Sequence, residues 1–350
     1  MAGTKQAAEI NSIGLSLLKG LMSFEIIVAF LWEVNVKTTG ALGWVYYLRN
    51  MAIPVFVMIL FLTFAGRLKS KNGSGFWRKL LELFVPLVTW GIIYWVFFYF
   101  LKDMLSDEDN MYDITVRDLF YQIITGNSPY LNPVMWLIVN EILLLVLFEL
   151  IILISAKFHN VIFIVLMAAA LACQYMGINY LSGVRSEIRG CVMMLQEMLP
   201  FAVVGFLLAV YGTVEKTKKW WPVTMLLSAG VICFLRYYGI FTDITGNGYA
   251  GVKRIVLAAA LVLLFAAPPL DKLPEFLHKA VNWLTRFSLG IFCMHRLVST
   301  LLHYLISHRG WVDMETYTLF DCVLTFVICY VISLLIWLIP CKFTKMLVEG

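Results

Sequence analysis

A chain of 350 residues that is 61% hydrophobic and only 14% charged departs from soluble proteins, which are nearer half apolar and a quarter charged. The composition identifies an all-α, polytopic integral membrane protein and excludes a water-soluble enzyme. A net charge of +5 is too small and too dispersed for a nucleic-acid partner, and in a membrane chain it reads as loop bias that sets orientation.

About ten apolar stretches are long enough to cross the bilayer lipid as helices, near 12–34, 45–66, 79–101, 133–155, 160–176, 191–212, 221–240, 253–269, 283–306 and 318–340. They form a single membrane-embedded domain over 1–350, with no appended soluble domain. No internal repeat is visible, which argues against an inverted-repeat transporter. The first apolar run is too long for a cleavable signal peptide, is interrupted by charge and lacks a small-residue cleavage site. Of the seven cysteines, Cys173, Cys233, Cys293, Cys322 and Cys329 lie in apolar runs and none forms a CxxC pair. That pattern argues against a disulfide framework or a zinc site, and no metal or bound cofactor is expected.

The stretch Asn11–Glu33 carries Lys19 in its first half and Glu25 near its centre. A charge at such depth costs about 2.5–3.5 kcal/mol on insertion scales, so it is kept where it faces protein or a cavity. Ser12, Ser16, Lys19 and Ser23 are four, three and four residues apart and make one polar stripe. Glu25 falls on another face. The stripe suits a functional site or a polar clamp between helices.

The second span opens on Arg49 and Asn50, with Pro54 about one turn deeper. The guanidinium fork fits a carboxylate or phosphate, and an Arg at this place also suits snorkelling to lipid headgroups. After this span, Arg67, Lys69, Lys71, Arg78 and Lys79 make a basic loop, and the next loop, Lys102–Asn132, is mainly acidic. Basic residues recur at Lys157, at Lys216, Lys218 and Lys219, and at Lys272 and Lys279, all on the side of the first basic loop. The positive-inside rule then puts both termini in the cytoplasm, with Arg236, Lys253 and Arg254 as the counter-signal outside. Arg78 and Lys79 begin the third span at the cytoplasmic surface, where they mark topology or meet an anionic lipid or nucleotide phosphates. Pro86 is expected to kink that span. Tyr112–Ile124 is expected to form a helix over the bundle.

In the fourth span Trp136 and Asn140 share a face, while Glu141 and Glu149 sit on neighbouring ones. Two carboxyl groups in one apolar helix need a cation such as Lys19, or a proton. Glu197 in the sixth span adds a third membrane acid. Such a set serves as a proton path, as a general base, or as plain interhelical hydrogen bonding. In the ninth span Ser288, His295, Ser299 and His303 fall seven, four and four apart, along one stripe. His295 is the best-placed imidazole for proton transfer near neutral pH, although a buried histidine more often fills a structural role.

Taken together, LSLLKGLMSFEIIVAF, YYLRNMAIPVFVMIL, WRKLLELFVPLVTWGIIYW, MWLIVNEILLLVLFEL and FSLGIFCMHRLVSTLL, in this order and spacing, resemble the membrane acyltransferase-3 family. The nearest likeness is to the branch that modifies exopolysaccharide and other surface glycans. The resemblance implies a ten-span O-acyltransferase of the cell membrane that takes an acyl group from cytoplasmic acyl-CoA, typically acetyl-CoA. The acceptor it implies is a hydroxyl of a surface glycan or lipid-linked precursor. Family members carry an Arg in the first span and, eleven residues on, a His that acts as base. Here Lys19 fills the first position and Phe30 the second. The Ser-Gly-Phe usual in the second span is replaced by Leu60, Phe61 and Leu62, and the ninth-span His-Pro reads His295-Arg296.

Phe30 takes no proton, so His295 or a membrane carboxylate such as Glu25 is left to activate the acceptor. The resemblance thus assigns Lys19, His295 and Glu25 to chemistry, and Arg49, Asn50, Arg78, Lys79, Trp136, Asn140 and Glu141 to substrate. The same departures fit a second reading, a catalytically silent relative or a transporter or export-assisting membrane protein for glycan intermediates.

Overall fold

The computed structural model describes residues 13–31, 40–68, 74–105, 115–126, 135–155, 157–176, 186–237, 251–307 and 314–349, and among them there is no strand. The expected basic residues Lys69 and Lys71, the loop over 106–114, Ser12, and the side chains of Arg67, Phe30 and His303 lie outside the described residues.

Helix α1 (Ile13–Leu31) covers the first apolar stretch. The second is not one unbroken rod: α2 (Gly40–Leu48) leads through a 3-10 turn at Arg49–Met51 into α3 (Ala52–Leu68). Pro54 explains the break, because it has no N–H for the carbonyl of Asn50 and the chain tightens ahead of it. Helix α4 (Ser74–Leu105) runs 32 residues through Pro86, which leaves the carbonyl of Glu82 without its usual helical donor. The short α5 (Val116–Thr125) is capped by Thr115 and Asp118 in a reciprocal box and closed by Gly126 at φ 68°.

The remaining spans are α6 (Trp136–Ile154), α7 (His159–Tyr175) and α8 (Ser186–Val210). A sharp 111° bend joins α9 (Thr213–Lys219) to α10 (Trp221–Tyr237). Then follow α11 (Val252–Ala266), the two-sided α12 (Glu275–Thr285), α13 (Ser288–Ser307), α14 (Met314–Leu338) and α15 (Lys342–Val348).

Each of the ten apolar stretches therefore falls on helix, the second and the ninth with a break inside them. By length and composition alone, five of the described helical stretches can cross a membrane, or six if the bent α9–α10 pair is one span. Part of the difference lies in the shorter rods. At about 1.5 Å per residue, helices the length of α10 or α11 reach about 22–26 Å, short of a roughly 30 Å hydrocarbon core. Many side chains on the outer faces of α4, α7 and α10 are apolar and exposed, among them Phe84, Val165 and Leu226, as lipid contact requires.

Between lipid-soluble helices the driving force is close packing, so small residues decide where backbones touch. The most extensive contact is α3 against α8, where Gly205 rests directly on the main chain of Met58. Gly14 of α1 meets the carbonyl of Phe265 on α11 in the same way. An aromatic knot joins α3, α6, α7 and α8: Phe148 stacks on Phe163 at 4.1 Å, with Phe61 4.5 Å from Phe148 and Phe206 5.0 Å from Phe163. The expected helix over the bundle is α5, and it packs beside the middle of α4, where Gly91 faces Leu119 and Ile123. Gln122 is consequently buried although it lies on a connecting segment.

Candidate active site

The polar residues of five helices meet in one cavity with about 690 Å³ of empty space, part of it open to the outside. Helix α1 presents Lys19, α3 presents Thr63, α4 presents Lys79 and Glu82, α6 presents Glu141 and α13 presents Ser288. Glu349, just past α15, completes the polar wall, and Phe56, Leu60, Leu83, Leu137, Ile138, Leu289 and Phe292 supply the apolar part. An ammonium, a hydroxyl and a carboxyl group on an apolar wall can hold an elongated ligand with one charged end.

Each polar group arrives by helical register. Lys19 stands four residues before Ser23, whose hydroxyl donates to the Lys19 carbonyl at 2.9 Å and keeps the stripe close to its own helix. Lys79 and Arg78 converge on Glu82, one turn later: Lys79 Nζ is 3.4 Å from Oε2, and Arg78 Nε donates to Oε1 at 3.0 Å. Arg78 is 79% exposed and outside the cavity wall, whereas Lys79 is inside it. Glu141 lies in the early turns of α6 and is buried against the cavity with Leu137 and Ile138.

His295 is fully buried on α13 and does not line the cavity; Phe292, one turn earlier, does. Its Nδ1 is 2.6 Å from the carbonyl oxygen of Phe292. A carbonyl only accepts, so Nδ1 carries the hydrogen and Nε2 of the neutral ring carries the lone pair.

A residue from another helix bonds the same turn of α13. Tyr94 of α4 donates its hydroxyl to the carbonyl of Cys293 at 2.9 Å and accepts the N–H of Leu297 at 3.0 Å. Cys293 and Leu297 are four apart and would bond each other directly in a regular helix. Tyr94→Phe removes both bonds from the turn that bears His295. We expect a loss of about 1 kcal/mol in stability, read as a lower melting temperature, together with lower transfer activity.

The other sequence candidates lie elsewhere. Glu25 is buried on the α14 side of α1, where it and Asp321 are within electrostatic reach of Cys322 and where Phe24 meets Phe326 at 5.8 Å. Arg49 is buried and Asn50 half-buried in the 3-10 turn, and neither touches the cavity. Trp136 and Asn140 are buried on the side of α6 away from it, with the Asn140 amide donating to the Trp136 carbonyl at 2.8 Å. The cavity thus joins Lys19, Lys79 and Glu141, and leaves His295, Glu25, Arg49, Asn50, Arg78, Trp136 and Asn140 off its wall.

Sequence reasoning passes over Glu82, Thr63 and Glu349. Glu82 had a signal, since acids three and four residues from Lys79 and Arg78 share their face. Glu349 had none, because its place depends on a contact across the whole chain. Among the described residues no group of His, Cys, Asp and Glu is arranged to hold a metal.

A family model described as an acyltransferase domain matches residues 14–339. The chain belongs to the acyltransferase-3 family. The match runs from the first turn of α1 to just past the end of α14, so it takes in every helix that builds the cavity wall. No curated protein and no solved structure matches the chain. As an acyltransferase-3 protein with several bilayer-length apolar helices, it is a membrane acyltransferase.

Proposed function

We propose that the chain transfers an acetyl group from cytoplasmic acetyl-CoA to a hydroxyl of a cell-surface glycan or lipid-linked precursor in the cell membrane. What supports this is the convergence of Lys19, Lys79 and Glu141, from three helices, on one cavity beside the turn that bears His295. The basic residues that flank α4 argue for a cytoplasmic mouth, and with it cytoplasmic termini.

Lys79, with Arg78 on the surface beside it, draws in the anionic donor. The ammonium of Lys19 stabilises the oxyanion that forms when the thioester carbonyl is attacked. Nε2 of His295 takes the proton of the attacking hydroxyl as the new C–O bond forms and the C–S bond breaks, releasing CoA. Arg49, buried off the cavity wall, and Asn50 beside it shape the 3-10 turn that leads into α3. Glu141 orients Lys19, while Trp136, Asn140 and Glu25 keep the neighbouring helices in place.

Purified protein given labelled acetyl-CoA and a glycan acceptor is expected to release CoA and label the glycan. Lys79→Ala should raise KM for the donor by roughly three- to tenfold with little change in kcat, since it acts on binding before chemistry. Labelling that is absent from the native protein, with no rise in melting temperature on adding CoA, would rule the proposal out. A second reading, that of a catalytically silent relative, draws on the full burial of His295 off the cavity wall and on Phe30 in place of a base. It predicts binding of glycan intermediates without binding of acyl-CoA, so a melting-temperature rise on adding CoA would argue against it.

A further inference from the structure

The rim of the cavity carries an arrangement that acyl transfer does not use. The carboxylate of Glu349 accepts the indole N–H of Trp337 at 2.7 Å, and Arg286 Nε lies 3.6 Å from the same oxygen. The Trp337 ring is also flanked by cations, with the Arg286 guanidinium 4.8 Å and the Lys345 ammonium 5.3 Å from its centroid. Glu349 is held there by the segment before it. Leu347 and Val348 are buried, Trp90 donates to the Leu347 carbonyl at 3.2 Å, and Val348 enters a notch at Gly290, where an added Cβ would stand 3.0 Å from its own.

We propose that Trp337, Arg286 and Lys345 form a phosphate subsite on the rim of the cavity, which Glu349 occupies in this structure and yields to a phosphate-bearing ligand. An indole N–H and a guanidinium on one oxygen, with an ammonium beside the same indole ring, are the donors that a phosphate group calls for. The charges explain why the carboxylate must leave. The cavity wall sets Lys19 and Lys79 against the carboxyl groups of Glu82, Glu141 and Glu349, and Lys79 is already beside Glu82. An incoming phosphate meets repulsion while Glu349 is in place. Once the side chain swings out, Arg286 and the Trp337 N–H turn to the ligand. Glu349 is 41% and Arg286 36% exposed, so the exchange needs no opening of the helix bundle. The inference rests on the transferase reading for which ligand enters, and on the rim geometry for the subsite itself.

The test uses the full-length chain in phosphatidylcholine nanodiscs, titrated with CoA, with pantetheine (the same thiol arm without phosphates) and with inorganic pyrophosphate. Glu349→Gln keeps an oxygen for Trp337 and removes the competing charge. It should tighten CoA and pyrophosphate about threefold, with pantetheine unchanged. Arg286→Gln should weaken both phosphate probes by roughly the same factor, again sparing pantetheine. The melting temperature of each variant separates lost binding from lost fold. Phosphate-probe affinity that is unchanged or weaker in Glu349→Gln overturns the subsite, as does an equal shift for pantetheine. If pyrophosphate follows both variants while CoA binds none of them, the subsite holds and the CoA-donor reading falls. If neither probe binds the native chain or Glu349→Gln, both fall. A gain that disappears in phosphatidylglycerol nanodiscs assigns the subsite to a lipid phosphate, and a gain that persists there assigns it to the soluble ligand.

Discussion

Lys19→Ala should lower the rate of acyl transfer by about 10²–10³-fold, the range seen when one donor to a developing oxyanion is removed. The reason lies in where the ammonium sits. Lys19 is in the first half of an otherwise apolar helix and faces a wall shared with Glu141, Lys79 and Ser288. In such surroundings, between an apolar wall and a partly open mouth, a single charge is worth more than in bulk water. The Ala variant should fold, because its smaller side chain opens space into an existing cavity, and Lys79 on the same wall stays beside the buried Glu141. Lys19→Arg keeps the charge and should retain part of the activity, since the fork differs from the ammonium in shape. Initial rates with saturating acetyl-CoA, beside melting curves for each variant, check the expectation. A Lys19→Ala protein as active as the native one would remove Lys19 from the chemistry.

The second large effect is on the fold. Gly205→Ala should destabilise the protein by about 2–3 kcal/mol, and Gly205→Leu by more, because the first added carbon meets the main chain of Met58. A side chain can rotate away from such a clash, but the backbone of α3 cannot, held as it is by its longest packed seam. Helix association in a bilayer depends on this close approach more than on hydrophobicity. Gly230→Ala is the matched control: nothing lies within 4 Å of its added carbon, and Ala favours the helix. Thermal unfolding in detergent should separate the two, with Gly205→Ala losing its transition first and Gly230→Ala matching the native chain.

Much of this was legible in the sequence, for a physical reason. A bilayer demands long apolar runs, so α1, α6 and α8 announce themselves, and any charge inside them stands out because it is costly. Lys19 and Glu141 are visible on that ground, and both reach the cavity. Register within one helix is equally legible, as in the turn that joins Lys79 to Glu82. Contacts between helices are not. Nothing in the local sequence tells which side of α1 Glu25 faces, that Tyr94 reaches Cys293 and Leu297, or that Glu349 returns to the cavity. The 3-10 turn at Arg49–Met51 lies between the two: Pro54 marks it, but only the coordinates show that Arg49 turns inward and is buried.

The Tyr94 hydroxyl has a mechanical consequence. It is stitched into the backbone of α13 by a donor bond on one side and an acceptor bond on the other, so α4 and α13 cannot slide or rotate past each other without losing both. Relative movement of these two helices therefore carries the cost of two hydrogen bonds. A bulky guest is accordingly accommodated at lower cost by movement of the other helices of the wall, those bearing Lys19, Thr63 and Glu141.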